Sequence, residues 1–261
     1  MNKCNRNRRR ELGYFLLFIG MSLAGVSVFV LIPFADVIRR SFMTVMSGEF
    51  AGLDNYRTVI GNQAFRLAVG NTLHFVGVAI PLLVVINLAA ALVLSRIRDI
   101  RVIKSLYLFP MALPTATVVI VWRMFFYRQD FGSLVVSYLW KNTGYTIVLW
   151  LAGIAGIPNE LVEAARVDGA NGLQCLLFVK LPCLKGSVYT IVILSFLNSM
   201  KIYREAYLVG GSYPGRDIYL LQHTFNNWYV NLEFDKMAAA SVMVAGVLFV
   251  FILLFQHYSQ R

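Results

Sequence analysis

Long apolar runs alternate along the chain with short polar stretches, and these runs set the architecture. Leu12 to Ala35 carries no charge after Glu11. It exceeds the ~20 residues an α-helix needs to cross a bilayer, so it is expected to span one. Leu67 to Ser95 is a second run, with Asn71, Thr72, His74, Pro81 and Asn87 inside it. Ser105 to Trp122 is a third and holds Pro110 and Pro114, which predicts a kink. Phe131 to Leu151 reads as a fourth, with Lys141 within. A helix begun only after Lys141 would fall short of the ~20-residue requirement. Lys185 and Lys201 bracket a short fifth run whose lysines can snorkel to the two faces. Met237 to Tyr258 is an uncharged sixth. The pattern predicts an all-α, polytopic membrane protein with about six transmembrane helices.

Composition agrees. Of 261 residues, 58% are hydrophobic and 14% charged, whereas a soluble domain carries about a quarter charged residues. No large water-soluble domain fits in what remains. The net charge of +11 would suggest nucleic acid for a soluble protein. In a membrane chain it reads instead as basic residues on the cytoplasmic face, with no nucleic-acid partner. Residues 1–11 form a basic tail, with Lys3, Arg6, Arg8, Arg9 and Arg10, that holds the N-terminus in the cytoplasm. The apolar run that follows is too long for a cleaved signal peptide. The short basic loop Arg96 to Lys104 supports the same orientation. Residues 12–35 are then the first span, 36–66 an outer loop, and 67–258 the core. An even number of spans returns Arg261 to the cytoplasm. Cys4, Cys175 and Cys183 show neither metal spacing nor a disulfide framework, and the lone His74 supports no metal site.

One loop reads as a structured element. In 158–182, Pro158 precedes a stretch with Glu160 and Glu163 in a first helical turn, where carboxylates favour the helix dipole. Leu161, Ala164 and Ala165 are good helix formers. Gly169 then predicts a bend, and a second apolar helix is expected to stop at Pro182. Glu163-Ala164-Ala165, three residues, Gly169, nine residues, Val179, one residue and Leu181-Pro182 resemble the "EAA" loop of permease subunits in binding-protein-dependent ABC importers. Asp168-Gly169-Ala170 looks most like the carbohydrate branch. The chain departs from that pattern at Val179, usually isoleucine, and in the absence of a basic residue from Gly172 to Phe178.

The resemblance extends over nearly the whole chain from Leu12. Asn71-Thr72 matches a recurrent pair, the Pro110/Pro114 segment with Trp122 looks like the third core helix, and GEFAGLDNYRTVI resembles an outer-surface segment. The stretch before Trp140 looks like a shortened outer loop. Gly210-Gly211-Ser212-Tyr213-Pro214 is similar to a "GGP" tract, which favours the MalF branch of the sugar permeases. The resemblance implies a cytoplasmic coupling helix docked in a groove of an ATP-binding cassette ATPase dimer. Glu163 would pair with a basic residue there, Ala164 and Ala165 would allow close approach, Gly169 would bend, Asp168 would cap or brace, and Leu181-Pro182 would close the motif. It also implies a second homologous permease, an extracytoplasmic solute-binding protein, and a multi-pass place among the lipids of a bacterial cell membrane.

The chain has no GxxxxGK[ST] phosphate loop, so no cofactor is expected in it; ATP and Mg would sit on the partner ATPase. For the pathway of a sugar, Asn71, Trp122, Ser195 and Asn198 are candidates by polarity and depth, although helix-to-helix bonding is the leading reading for each. An anionic solute would call for several intramembrane cations, where the spans offer only Lys141. A membrane enzyme would need clustered catalytic groups, and an ion-coupled carrier would need buried carboxylates and repeats. The spans show neither.

Overall fold

The structure, a computed structural model, describes residues 19–44, 48–97, 101–126 and 130–259. The basic tail, Cys4, the start of the first span, the middle of the Arg96–Lys104 loop and Arg261 lie outside the described residues. Among the described residues every regular element is a helix, apart from one isolated antiparallel bridge between Met43 and Phe50. They fall into two compact units, Met1–Asn62 with Trp228–Val247, and Gln63–Asn227 with Leu248–Arg261.

In the first unit, α1 runs from Ile19 to Ser41. It continues past Asp36 because that carboxylate is paired within the helix by Arg39 (3.0 Å) and Arg40 (2.5 Å). Pro33 cannot donate a backbone hydrogen bond, and its ring crowds the carbonyl of the preceding turn. The turn before it, Ser27–Leu31, is accordingly widened to a π-helix. Most of the side chains of α1 face outward, with Met21 and Phe29 more than four-fifths exposed, as a lipid-facing helix requires. The short α2, Asp54–Gly61, is tied to the end of α1. The Asn55 amide donates to the carbonyls of Ser41 (3.0 Å) and Met43 (2.9 Å), and the Ser41 and Tyr56 hydroxyls are 2.6 Å apart.

The second unit is built around α3 (Gln63–Leu94), α4 (Arg101–Ala112), α5 (Thr115–Phe125) and α6 (Phe131–Ala155). At 1.5 Å per residue α3 is about 48 Å long, more than a bilayer core needs. It packs alongside α6 in the same direction. One apolar cluster joins Phe75, Ala79 and Leu83 to Leu134, Val135 and Tyr138. Further along, another joins Ala91 and Leu94 to Ile147, Trp150 and Leu151. A box of Asp130 and Ser133, each side chain accepting the other's backbone N–H, starts α6. The helix thus begins at Phe131 and runs unbroken through Lys141 to Ala155, although it is apolar enough for a span only when counted together with the helix that follows, Asn159–Val167. The third span is sharper than a kink: α4 and α5 meet at 103° across Leu113 and Pro114, whose extended backbone cannot continue a helix.

Beyond α6 come α7 (Asn159–Val167), α8 (Gly172–Cys183), α9 (Lys185–Ser199), α10 (Tyr203–Gly210), α11 (Leu221–Val230) and α12 (Phe234–Ser259). Among the described residues, three helices are long and apolar enough to cross a membrane: α1, α3 and α12. Counting each bent pair of helices as one span gives up to six. The segment between α10 and α11 is held to α3 by the Asn71-Thr72 pair. Asn71 donates to the carbonyls of Arg216 (2.5 Å) and Tyr219 (2.9 Å), and Thr72 accepts from the Leu221 N–H (3.0 Å). His223 is buried beside them and accepts the Leu220 N–H at Nδ1 (3.0 Å).

Two expectations follow. Gly144 of α6 lies against the backbone of α4, where an added Cβ would come within 2.1 Å of the Tyr107 carbonyl oxygen. Gly144→Ala should therefore lower the melting temperature in detergent by an amount equivalent to about 1–3 kcal/mol, the usual cost of overpacking. Burial lowers the His223 pKa to about 4. Between roughly pH 6.5 and 4 the unfolded chain thus binds a proton that the folded chain refuses, and stability falls with falling pH. Melting curves at about pH 7 and about pH 5 should show this loss, and His223→Gln should shrink it.

Candidate functional site: the loop after α6 and the polar cluster on its face

The loop 158–182 takes its form from local rules. Pro158, with extended ψ, lets α7 start one residue later at 66° to α6. The end of α7 is a Schellman turn. Gly169 N–H reaches the Arg166 carbonyl (3.0 Å), Ala170 N–H reaches that of Ala165 (2.9 Å), and Gly169 has φ +87°. A side chain at that φ would be strained, so the glycine is required by the backbone. Asp168 is the residue at which the helix closes, through its backbone N–H to Ala164 (3.0 Å), and its side chain is exposed. Asn171 then opens α8 in a reciprocal pair with Gln174 (2.8 and 2.9 Å).

Pro182 does not end this second helix. Cys175–Lys180 widens to a π-helix, which relieves the proline as in α1, and the helix passes through Pro182 before bending 67° at Leu184. Leu184 is fully buried with Trp150, Leu151 and Ile191, and Ser187 packs against Gly153. The loop is therefore anchored to α6 at both ends. Between the anchors it presents Glu163 and Ala164 to the outside, with Ala165 half-buried, Leu181 half-buried and Pro182 exposed. Val167 and Phe178 are 87% and 75% exposed. Apolar side chains held this openly on a rigid element suit a protein partner.

The four pathway candidates are not gathered into one place. Asn71 is spent on the loop before α11. Ser195 is fully buried on α9 and bonds α6 twice: its carbonyl accepts from the Tyr138 hydroxyl (2.5 Å), and its own hydroxyl lies 2.9 Å from that of Tyr145. Asn198 accepts from Lys201 (3.0 Å). Trp122 alone borders a cavity, of about 20 Å³, with Asp130, Ser133, Ser137 and Glu205. That volume suits one water and is far below the ~300 Å³ of a small-ligand pocket.

Glu205, on α10, is the residue that sequence reasoning missed. It lies in a stretch expected to be an outer loop, yet it is 5% exposed and its carboxylate is bonded by the Lys141 ammonium. Lys141 also reaches the Thr115 hydroxyl (3.4 Å), so α5, α6 and α10 meet at one charge pair. The signal was available: a lysine about 15 Å into a spanning helix must find an anion. Lys141→Met strands the Glu205 carboxylate and should cost about 3–5 kcal/mol, whereas Lys141→Met with Glu205→Leu should recover most of the loss. Thermal melts of the four forms in detergent complete that cycle.

With the geometry in view, likeness to known proteins is informative. The family model described as "Binding-protein-dependent transport system inner membrane component" matches residues 84–261. The chain is 25% identical, over 90% of its length and 89% of the relative's, to the trehalose/maltose transport system permease protein MalF of Thermococcus litoralis. It is 30% identical, over 74% of its length and 71% of the relative's, to the arabinooligosaccharides transport system permease protein AraP of Bacillus subtilis. Its fold is similar to a chain of a bacterial ABC transporter involved in the import of the acidic polysaccharide alginate, with a TM-score of 0.79 over 100% of this chain and 99% of that one at 16% identity. By the extent of the family match, this chain belongs to the inner membrane components of binding-protein-dependent transport systems.

Proposed function

We propose that the chain is one permease subunit of an ATP-driven importer and forms, with a second homologous permease, the membrane path for a sugar or oligosaccharide. As a member of a permease family it is a multi-pass transport subunit and not an enzyme. The sugar class draws support from the named relatives, which are permeases of trehalose/maltose and arabinooligosaccharide systems. An extracytoplasmic binding protein would deliver the solute. A related fold comes from an alginate transporter in complex with its alginate-bound periplasmic protein. ATP and Mg would be held by a separate ATPase dimer on the cytoplasmic side, where both termini of this chain would also lie.

The observation that carries the reading is the rigid, outward-facing loop on α6. Glu163 offers a carboxylate with no partner among the described residues, Ala164 offers a smooth surface, and Val167 and Phe178 offer apolar area. The Schellman turn at Gly169 fixes the angle between α7 and α8. Because Leu184 and Ser187 pack on α6, movement of a docked ATPase would be passed directly to α6 and its neighbours. Asp168 would then act by closing the helix through its backbone. In the 20 Å³ cavity beside Trp122 a sugar cannot fit, so the path would open between this chain and the second permease.

The chain should bring down an ATPase and a second permease from detergent-solubilised membranes, read by mass spectrometry. A Glu163→Lys, Gly169→Pro double variant should keep the permease and lose the ATPase by about 30-fold or more, as expected when a paired interface charge is reversed. ATPase retained at the wild-type level would refute the coupling role.

A further inference from the structure

The ends of α3 and α6 and the start of the 158–182 loop enclose a cleft of about 810 Å³, large enough for a sizeable ligand. Arg96, at the end of α3, Arg166, in the last turn of α7, and Lys180, in α8, all line it. Glu163 is the one carboxylate among the lining residues. None of the three cations is bonded to a carboxylate among the described residues. Leu151, Ile154, Ala155 and Ile157, at and just beyond the end of α6, give the same cleft an aliphatic part.

Cations gathered at helix C-terminal ends are often explained by the helix dipole alone, since each end favours positive charge. That accounts for Arg96 and Arg166 singly. It does not account for their convergence with Lys180 on one cavity that also has an aliphatic wall. Bare phosphate would use the charge and leave the aliphatic wall unused. An acidic protein segment would approach from water, whereas this cleft lies where two parallel helices of the membrane core end together. A phospholipid matches both halves, with a phosphodiester against the cations and glycerol and acyl carbons against Leu151 and Ile154.

The geometry points to a binding site for an anionic phospholipid headgroup, of the phosphatidylglycerol type, wedged between the ends of α3 and α6 and the coupling loop. This rests on the membrane placement proposed above, but it requires neither the sugar nor the ATPase. A lipid bound there would contact Arg166 on α7, so it would brace the element that the ATPase is proposed to engage.

Native mass spectrometry of the full chain, released from detergent after addition of phosphatidylglycerol or phosphatidylcholine, tests the site. The wild type should retain phosphatidylglycerol in preference to phosphatidylcholine. Arg166→Gln with Lys180→Gln should weaken that retention by about 30-fold, since each basic residue near an anionic lipid is worth a factor of about five. Arg96→Gln should weaken it by about fivefold and guards against misfolding of the double variant. Equal retention of the two lipids, or retention unchanged in both variants, overturns the site. Loss of phosphatidylglycerol to excess inorganic phosphate at equal occupancy also overturns it, by identifying a free-anion site. Because the readout needs no partner subunit, a failed lipid result leaves the ATPase pull-down to be judged separately.

Discussion

A charge inside a spanning helix has to be answered by another charge, and the pair of Lys141 and Glu205 is where this chain meets that requirement. Lys141 lies near the middle of α6, the helix against which α3, α4 and α9 all pack. An unpaired ammonium at that depth would cost several kcal/mol, so the helix cannot take its place without bringing Glu205 in from α10. Pairing thus pulls a segment that follows α9 back against α5 and α6. The polar groups around it follow the same logic: Asn142, Thr143 and Thr146 of α6 each donate to a carbonyl of the preceding turn, and Tyr138 and Tyr145 reach Ser195 on α9. With no water to satisfy them, polar side chains in such a helix either fold back on their own backbone or tie helices together.

The same helix carries the loop 158–182, and the rigidity of that loop is what would let it serve in the proposed coupling. A flexible tether between α6 and α9 would dissipate any displacement of a docked partner. Here the path is short and stiff: the Schellman turn at Gly169, the reciprocal pair of Asn171 and Gln174, and the burial of Leu184 against Trp150. Packed interfaces of this kind shift between discrete arrangements and do not deform continuously.

Much of this was legible from residue order. The apolar runs located the long helices, and Pro158 and Gly169 located the ends of α7. What could not be read has a physical reason in each case. Proline signals a break but not its angle, so the kink expected at Pro110 and Pro114 became a 103° turn. Pro182 looked like a stop because sequence gives no sign of the π-helical turn that accommodates it. Asp36 looked like the beginning of a loop, although Arg39 and Arg40 supply its counter-charges within the helix. Glu205 was hidden because its neighbours are polar, and only the three-dimensional return of α10 onto α6 places it at Lys141.

The pathway residues were the least legible, for a reason that belongs to the chemistry of membranes. In water a buried asparagine or serine is unusual enough to suggest a site. In lipid the same side chain is the ordinary means of fastening one helix to another. Asn71 and Ser195 are both engaged in such fastening. Trp122 differs, because its buried indole N–H has no hydrogen-bond partner within the described residues, and the residue borders the same cavity as Glu205. A donor left unsatisfied beside a charge pair is costly at rest and could be satisfied by rearrangement of α5 against α10. The break between α4 and α5 leaves α5 free of the constraint of a continuous helix. The region around Trp122, Lys141 and Glu205 is therefore the part of the second unit best suited to change partners when α6 moves.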